Sequence, residues 1–355
     1  MEIKIGNHIL GPNRPTYFIA DISANHDGDL ERARLLIHLA KEAGADAAKF
    51  QNFQAPKIVS DFGFKAMGTQ VSHQAGWEKS VFEVYVDASI PFDWTPILKE
   101  ECDNDGIDYF SSPYDFEAVD MLDQYVPAHK IGSGDITWLE ILEYIARKGK
   151  PVILSTGASD IGEVQQAVHA IRAINPQLVV MQCNTNYTAS IENFDHIHLN
   201  VLKTYAAMFP DITLGLSDHT HGPTTVLGAV ALGARVIERH FTDDNKRVGP
   251  DHPFSMTPAA WRDMVERTRE LERALGSADK QVAGNEKDTV IVQRRCLRAA
   301  RDVQAGETFT REMIDVLRPA TPGAILPPHI PEVVGTKAIH DITSGKELRW
   351  TDLRS

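Results

Sequence analysis

Two histidines, His219 in "GLSDHT" (215–220) and His240 in "IERHF" (237–241), stand where an apolar run gives way to polar residues. Taken singly, each reads as a hydrogen-bonded structural imidazole. Placed at the ends of neighbouring strands, the two could reach a common ion. Two nitrogen donors completed by oxygen ligands suit Mn²⁺, with Mg²⁺ or Co²⁺ as alternatives, better than a closed structural zinc site. Other short runs end in groups of equal chemical interest: Lys49 and Gln51, Lys130, Ser133 and Asp135, Ser155 and Thr156, Asn186 and Tyr187, Ser217 and Asp218, and Glu238. A lysine by default packs its stem on the surface. Lysines beside hydroxyls at strand ends instead make a pocket for a phosphate or carboxylate. A pair of ligands for one metal, an anion pocket beside it and carboxylates in reach describe a barrel enzyme acting on an anionic substrate with metal help.

The elements that must position these groups follow from periodicity. Strand candidates occupy 16–21, 46–51, 107–112, 128–133, 151–156, 178–183, 212–217 and 234–240. Between them lie segments with helical spacing, such as 29–44, where Leu30, Ala33, Leu36, Ile37 and Ala40 share a stripe and Gly44 is a stop. The last such segment is 257–276. Eight strand–helix pairs predict an α/β fold, a closed parallel (β/α)8 TIM barrel. An open doubly wound sheet competes, but no glycine fingerprint follows the first strand. In a barrel, the C-terminal strand ends face one cavity, which gathers the polar groups named above. Period two places Val236, Glu238 and His240 on one strand face, and Lys49 and Gln51 together on another. The stretch from Phe53 to Pro91 is expected to be an active-site loop. The barrel domain, with an N-terminal hairpin at "IKIGNHILGP", spans 1–279; residues 280–355 change to short β-like pieces with turns at "QAGE" and "TSGKE" and form a second, small, mostly β domain.

Composition narrows the partners. A formal charge of −13 argues against a nucleic-acid surface. The apolar run 224–234 falls short of the roughly 20 residues of a membrane helix, and "MEIKIGNHIL" lacks the regions of a signal peptide. Cys102, Cys183 and Cys296 are widely spaced and form no ligand or redox pair. A cytoplasmic location is the expectation.

The motifs "IADISANHDGD", "GADAAKFQNF", "KIGSGDI", "PVILSTG", "GLSDHT", "GARVIERHF" and "GPDHPFSM", in that order, resemble the N-acetylneuraminate (sialic acid) synthase family of phosphoenolpyruvate-condensing enzymes. "LRAARDVQAGETFTREMIDVLRP" resembles the antifreeze-like (SAF) domain that follows the barrel in those synthases, so the likeness covers nearly the whole chain. It implies condensation of phosphoenolpyruvate with the open-chain aldehyde of an N-acylated sugar, giving a nonulosonic acid and phosphate. It further implies that His219 and His240 bind the divalent metal, and that Lys130, Ser133, Ser155 and Asn186 hold phosphoenolpyruvate, with Ser217 beside them. Lys49 would sit by the reacting groups, and Glu238, Asp135 and Asp21 would be the acid or base candidates. Asp251 and Tyr187 match sugar-contacting positions, and Arg318 matches an arginine that reaches the partner subunit's site, which implies a domain-swapped homodimer.

The chain departs from the family pattern in places. Asp21 stands where the usual motif has glutamate, Thr188 replaces proline after "NY", and "RPATPGAILPP" carries extra residues. Residues 72–91 also differ from the plain sialic acid enzymes. The acceptor therefore stays open between N-acetylmannosamine, its 6-phosphate and 2,4-diacetamido-trideoxyhexoses of the legionaminic or pseudaminic type. Competing readings are a Schiff-base aldolase using Lys49 or Lys130, a synthase of another 3-deoxy sugar acid, and a non-catalytic sugar-binding or ice-binding homologue.

Overall fold

Eight short strands whose side chains are buried on both faces build the larger part of the chain, as parallel strands covered by helices require. A hairpin, β1 (Ile3–Ile5) and β2 (His8–Leu10), comes first. The parallel strands are β3 (Tyr17–Asp21), β4 (Ala47–Asn52), β5 (Asp108–Pro113), β6 (His129–Ile131), β7 (Val152–Ser155), β8 (Leu178–Cys183), β9 (Thr213–Asp218) and β10 (Val236–His240). The computed structural model describes residues 2–354. In it these strands hydrogen-bond in the order β5-β4-β3-β10-β9-β8-β7-β6, and the two terminal strands of that order, β5 and β6, lie side by side. The expected α/β barrel is thus present, nearly closed.

Alternation sorts the side chains into layers. Phe18, Ala20, Ala48, Phe50, Leu154, Val180 and Ile237 point outward and join a core shared with the surrounding helices. Tyr17, Ile19, Ala47, Phe110, Ile153, Val179, Met181 and Val236 point inward, where Ile3, Ile5 and Leu10 of the hairpin close the layer. The interior is crowded enough that β9 needs Gly215: an added Cβ would meet the Val236 carbonyl oxygen at 2.7 Å and Met181 Cγ at 2.9 Å. Helix Leu30–Glu42 starts where Asp29 accepts hydrogen bonds from the Glu31 and Arg32 amides, and it buries Ala33, Leu36, Ile37 and Ala40. That is the stripe its spacing predicts.

One expectation changes. The segment from Phe53 to Pro91 is not an irregular loop: it holds helices Ala55–Ile58, Asp61–Ala66 and Val81–Ala88 and a 3₁₀ turn at Ser72–Gly76. A small satellite core of Ala55, Val59 and Val81, with Trp77 and Tyr85 packed on it, holds the segment together. Its elements are too short for a helical period to show, although the capping box of Ser80 and Glu83 is written in the sequence. The chain divides into units Met1–Gly276 and Ser277–Ser355. The second contains brief antiparallel pairs, β11 (Cys296–Ala299) with β12 (Ile314–Leu317) and β13 (Lys337–Ala338) with β14 (Leu353–Arg354), and short helices Lys287–Gln293 and Ile330–Val333, with its own core of Leu297, Val303, Phe309 and Leu348. Isolated bridges such as Val303 with Ile342 complete it.

Candidate active site

Above the apolar interior layers, the inward positions at the C-terminal strand ends turn charged. Asp21 (β3), Lys49 (β4), Lys130 (β6), Ser155 (β7), Ser217 (β9) and Glu238 (β10) are all at least nine-tenths buried. Burial forces them to satisfy one another. Lys49 Nζ donates to Asp21 Oδ2 at 2.6 Å and lies 4.0 Å from Glu238. Lys130 Nζ donates to Ser155 Oγ at 2.8 Å and to the Ile131 carbonyl at 3.1 Å, and stands 3.3 Å from Glu238 Oε1. Ser217 Oγ donates to the same Glu238 oxygen at 3.3 Å. Glu238 therefore sits between two ammonium groups, while its second oxygen, Oε2, has no hydrogen-bond partner. Burial alone would depress the Lys49 pKa, but the Asp21 and Glu238 carboxylates outweigh it and raise the value, so the amine stays charged.

The two histidines meet at one side of this floor. Their ring centroids are 5.3 Å apart. His219 Nδ1 lies 2.9 Å from the Asn184 carbonyl, which can only accept, so Nδ1 carries the proton and Nε2 keeps its lone pair. Burial, reinforced by His240, lowers the His219 pKa to about 4 and keeps the ring neutral near pH 7. His240 Nδ1 is buried without a hydrogen-bond partner, 3.8 Å from Asp251 Oδ2, and its Nε2 lies 3.6 Å from Asp21 Oδ2. The lone pair of His219 Nε2 and the unpartnered Nδ1 of His240, with carboxylates nearby, are donors that fit a divalent ion. Among the described residues no three His, Cys, Asp or Glu side chains form a complete metal cage. Any ion held here would accordingly draw remaining ligands from water or substrate.

A cavity of about 440 Å³ opens over the floor, lined in part by Gln51, Ser133, Asp135, Tyr187, His240 and Asp251. Ser133 Oγ accepts from the Gly157 amide at 2.9 Å, pinning the start of the β7 exit turn. Burial pushes the Asp135 pKa up to about 6 against the opposing pull of Lys130. Tyr187 packs edge-on to His219 with centroids 4.3 Å apart. Asp251 Oδ2 accepts from the Ala24 amide at 3.2 Å. The segment carrying Asp251 is anchored by His252, whose Nε2 lies 2.8 Å from Asp27 Oδ1 and whose Nδ1 lies 2.7 Å from Thr242 Oγ1.

The structure thus brings together Asp21, Lys49, Lys130, Ser133, Asp135, Ser155, Tyr187, Ser217, His219, Glu238, His240 and Asp251. Asn186 follows β8 in the turn that also carries Thr185 and Tyr187, which line the cavity; its Oδ1 accepts from the Thr188 amide and hydroxyl at 3.0 and 2.7 Å. Arg318 is exposed in the second unit. Phe53, Trp77 and Tyr85, within the stretch expected at the active site, line the cavity, as does Tyr114, which the sequence did not single out.

A sequence model described as the NeuB family matches residues 36–280, and one described as the SAF domain matches 294–354. The chain belongs to the NeuB family. Spore coat polysaccharide biosynthesis protein SpsE of Bacillus subtilis is 34% identical over 99% of this chain and 96% of that protein. Its crystal structure superposes with a TM-score of 0.67 at 30% identity, covering 100% of this chain and 99% of that one. N,N'-diacetyllegionaminic acid synthase of Legionella pneumophila is 33% identical over 97% of this chain and 96% of its own. N-acetylneuraminate-9-phosphate synthase of Homo sapiens is 33% identical over 93% and 90%, respectively. This NeuB-family chain therefore aligns with these relatives over nearly its whole length, and the floor just described shows how its own residues are arranged.

Proposed function

We propose that the chain is a nonulosonic acid synthase, condensing phosphoenolpyruvate with the open-chain aldehyde of an N-acylated amino hexose. C3 of phosphoenolpyruvate forms the new bond to the aldehyde carbon, and the aldehyde oxygen takes up a proton. Water adds at C2, the bond from C2 to the phosphate ester oxygen breaks, and inorganic phosphate leaves a 2-keto acid. The observation that carries this reading is the buried floor where Lys130, Ser155, Ser217 and Lys49 converge around Glu238. Lys130, with Ser133 and Ser155, would hold the carboxylate and phosphate of phosphoenolpyruvate. Lys49, kept charged by Asp21, would face the developing negative charge. Glu238, with its free oxygen, and Asp135, at the cavity wall, would pass protons to and from the aldehyde oxygen and the attacking water. Tyr187 and Asp251 would contact the sugar.

His219 and His240 would hold a divalent ion, Mn²⁺ in first place. Such an ion supplies Lewis-acid polarisation of the aldehyde oxygen when bound. A domain-swapped homodimer bringing Arg318 to a second chain's acceptor, and a cytoplasmic setting, complete the reading. The rival imine mechanism needs a neutral amine, which the raised Lys49 pKa opposes. The test is phosphate release from phosphoenolpyruvate with Mn²⁺ and a panel of acceptor sugars, with and without EDTA. Acceptor-dependent, EDTA-sensitive release is expected. Borohydride trapping of a substrate on lysine with loss of activity, and no acceptor-dependent phosphate release, would favour the imine.

A further inference from the structure

Tyr114, the first residue beyond β5, is half-buried and lines the cavity. The chain fixes it from both sides. Pro113 pairs with Asn52 of β4, and Asp115 caps the helix Phe116–Asp123 by accepting from the Ala118 amide at 2.9 Å. The Tyr114 ring packs edge-on to Phe53 with centroids 5.7 Å apart. Its hydroxyl lies over the exit of β6, where a Cβ added to Gly132 would meet the hydroxyl oxygen at 3.6 Å. That exit continues as the 3₁₀ turn Ser133–Asp135. Among the described residues neither the Tyr114 hydroxyl nor the Asp135 carboxylate has a hydrogen-bond partner, and both residues line the cavity. Lys130 faces Asp135, and Asp21, Tyr85 and Tyr187 face Tyr114. Burial, and after it the carboxylates of Asp135 and Asp21, raise the Tyr114 phenol well above its ordinary pKa, so it stays neutral and can both donate and accept. Burial dominates at the two other cavity phenols as well, Tyr85 and Tyr187, but the carboxylate that acts most on them is Asp251. Tyr114 is the phenol that answers to Asp135.

A water attacks with a lone pair, and that lone pair faces C2 of phosphoenolpyruvate when both O–H bonds of the water are engaged elsewhere. A carboxylate can accept one and a neutral hydroxyl oxygen the other. Resting on the synthase reading above, we infer that Tyr114 is a catalytic residue that orients the attacking water, its hydroxyl oxygen accepting one O–H while Asp135 accepts the other. As the water oxygen bonds to C2, the proton on the Asp135 side passes to the carboxylate, which later releases it to solvent. Tyr114 keeps its own proton throughout. The bond from C2 to the ester oxygen then breaks, and its electron pair leaves with phosphate.

Tyr114→Phe tests this, because it keeps the ring against Phe53 and removes only the hydroxyl. The full chain is assayed with Mn²⁺ for phosphate release, using whichever of N-acetylmannosamine, its 6-phosphate and a 2,4-diacetamido-trideoxyhexose the wild type turns over. In Y114F, kcat should fall about tenfold or more, the loss that one hydrogen bond made in the transition state gives, while KM for phosphoenolpyruvate and for the acceptor stays within about twofold. The acid limb of the pH profile near about 6 should stay in place, because the hydroxyl acts on the water and not on the Asp135 carboxylate. In a double-mutant cycle the two losses should overlap, Tyr114→Phe with Asp135→Asn losing no more than about twofold beyond D135N alone, as expected of groups that hold one water. An unchanged kcat, losses that multiply, or a displaced acid limb each overturn the assignment. So does a Y114F chain that no longer folds, since the hydroxyl would then be structural. A wild type that turns over none of the three sugars removes the synthase reading and this inference with it, whereas a fully active Y114F removes the inference alone.

Discussion

Glu238 is the residue on which the floor turns, because it accepts from Ser217 and is flanked by two buried ammonium groups. Removing one of those cations leaves the carboxylate short of compensation and the substrate anion without its partner. Lys130→Met should therefore cut kcat/KM for phosphoenolpyruvate by about 10²-fold or more, chiefly through KM, as loss of one member of a buried charge pair does. Steady-state kinetics at varied phosphoenolpyruvate would show it. Asp135 gives a pH prediction. Its pKa near 6 is raised by burial, so activity that uses its carboxylate form should fall as pH drops through about 6. Asp135→Asn should erase that limb of the kcat/KM profile. The stability sign runs the other way: the folded value lies above the ordinary 3.8, so the native state binds more protons between about 4 and 6. Wild-type stability should fall relative to Asp135→Asn as pH rises through that window, which urea denaturation at several pH values can follow.

At the scale of elements, the strands are held in register partly by polar groups on their outer face. Asp218 on β9 accepts from Thr220 Oγ1 at 2.8 Å and Thr225 Oγ1 at 2.7 Å, and faces Arg239 of β10 at 3.5 Å. Both ions are almost wholly buried. Arg239→Met should destabilise the barrel by about 3–5 kcal/mol, since it leaves a buried carboxylate without its counter-ion. Chemical denaturation would measure the loss. Because these two residues flank Glu238 and His219 in the chain, activity should fall with fold stability and recover at low temperature. Most of this architecture was legible beforehand. Period two in "ARVIERHF" placed Glu238 and His240 together because a strand's side chains alternate regardless of context. The turn that ties the Asn186 side chain to Thr188 was not legible, since strand alternation does not extend into a turn.

For the whole molecule, the metal and dimer proposals make separate predictions. EDTA treatment should abolish acceptor-dependent phosphate release, and Mn²⁺ should restore it. His219→Ala should lower the bound Mn²⁺ measured on the purified protein, independently of turnover. If Arg318 serves a second chain, light scattering should give the mass of two chains, and Arg318→Ala should raise KM for the acceptor about tenfold or more while sparing that for phosphoenolpyruvate. A single-chain mass with an unaltered acceptor KM would remove the swap from the proposal.

The sequence by itself determined the eight strand–helix pairs, their inward and outward faces, the polar character of the strand ends and the change to short β pieces near residue 280, because each of these depends on local periodicity and turn chemistry. Tertiary structure alone decided which polar groups satisfy one another. Lys49 chooses Asp21, Lys130 chooses Ser155, and Glu238 lies between them, since the pairings join residues 28, 25 and 21 or more positions apart across a barrel whose closure no local pattern encodes. Tertiary structure also decided the apolar wall of the cavity. Trp77, Val84 and Tyr85 come to face the floor only because a small satellite core folds the segment after β4 over the barrel mouth, and such a core forms from contacts between short helices rather than from any one of them.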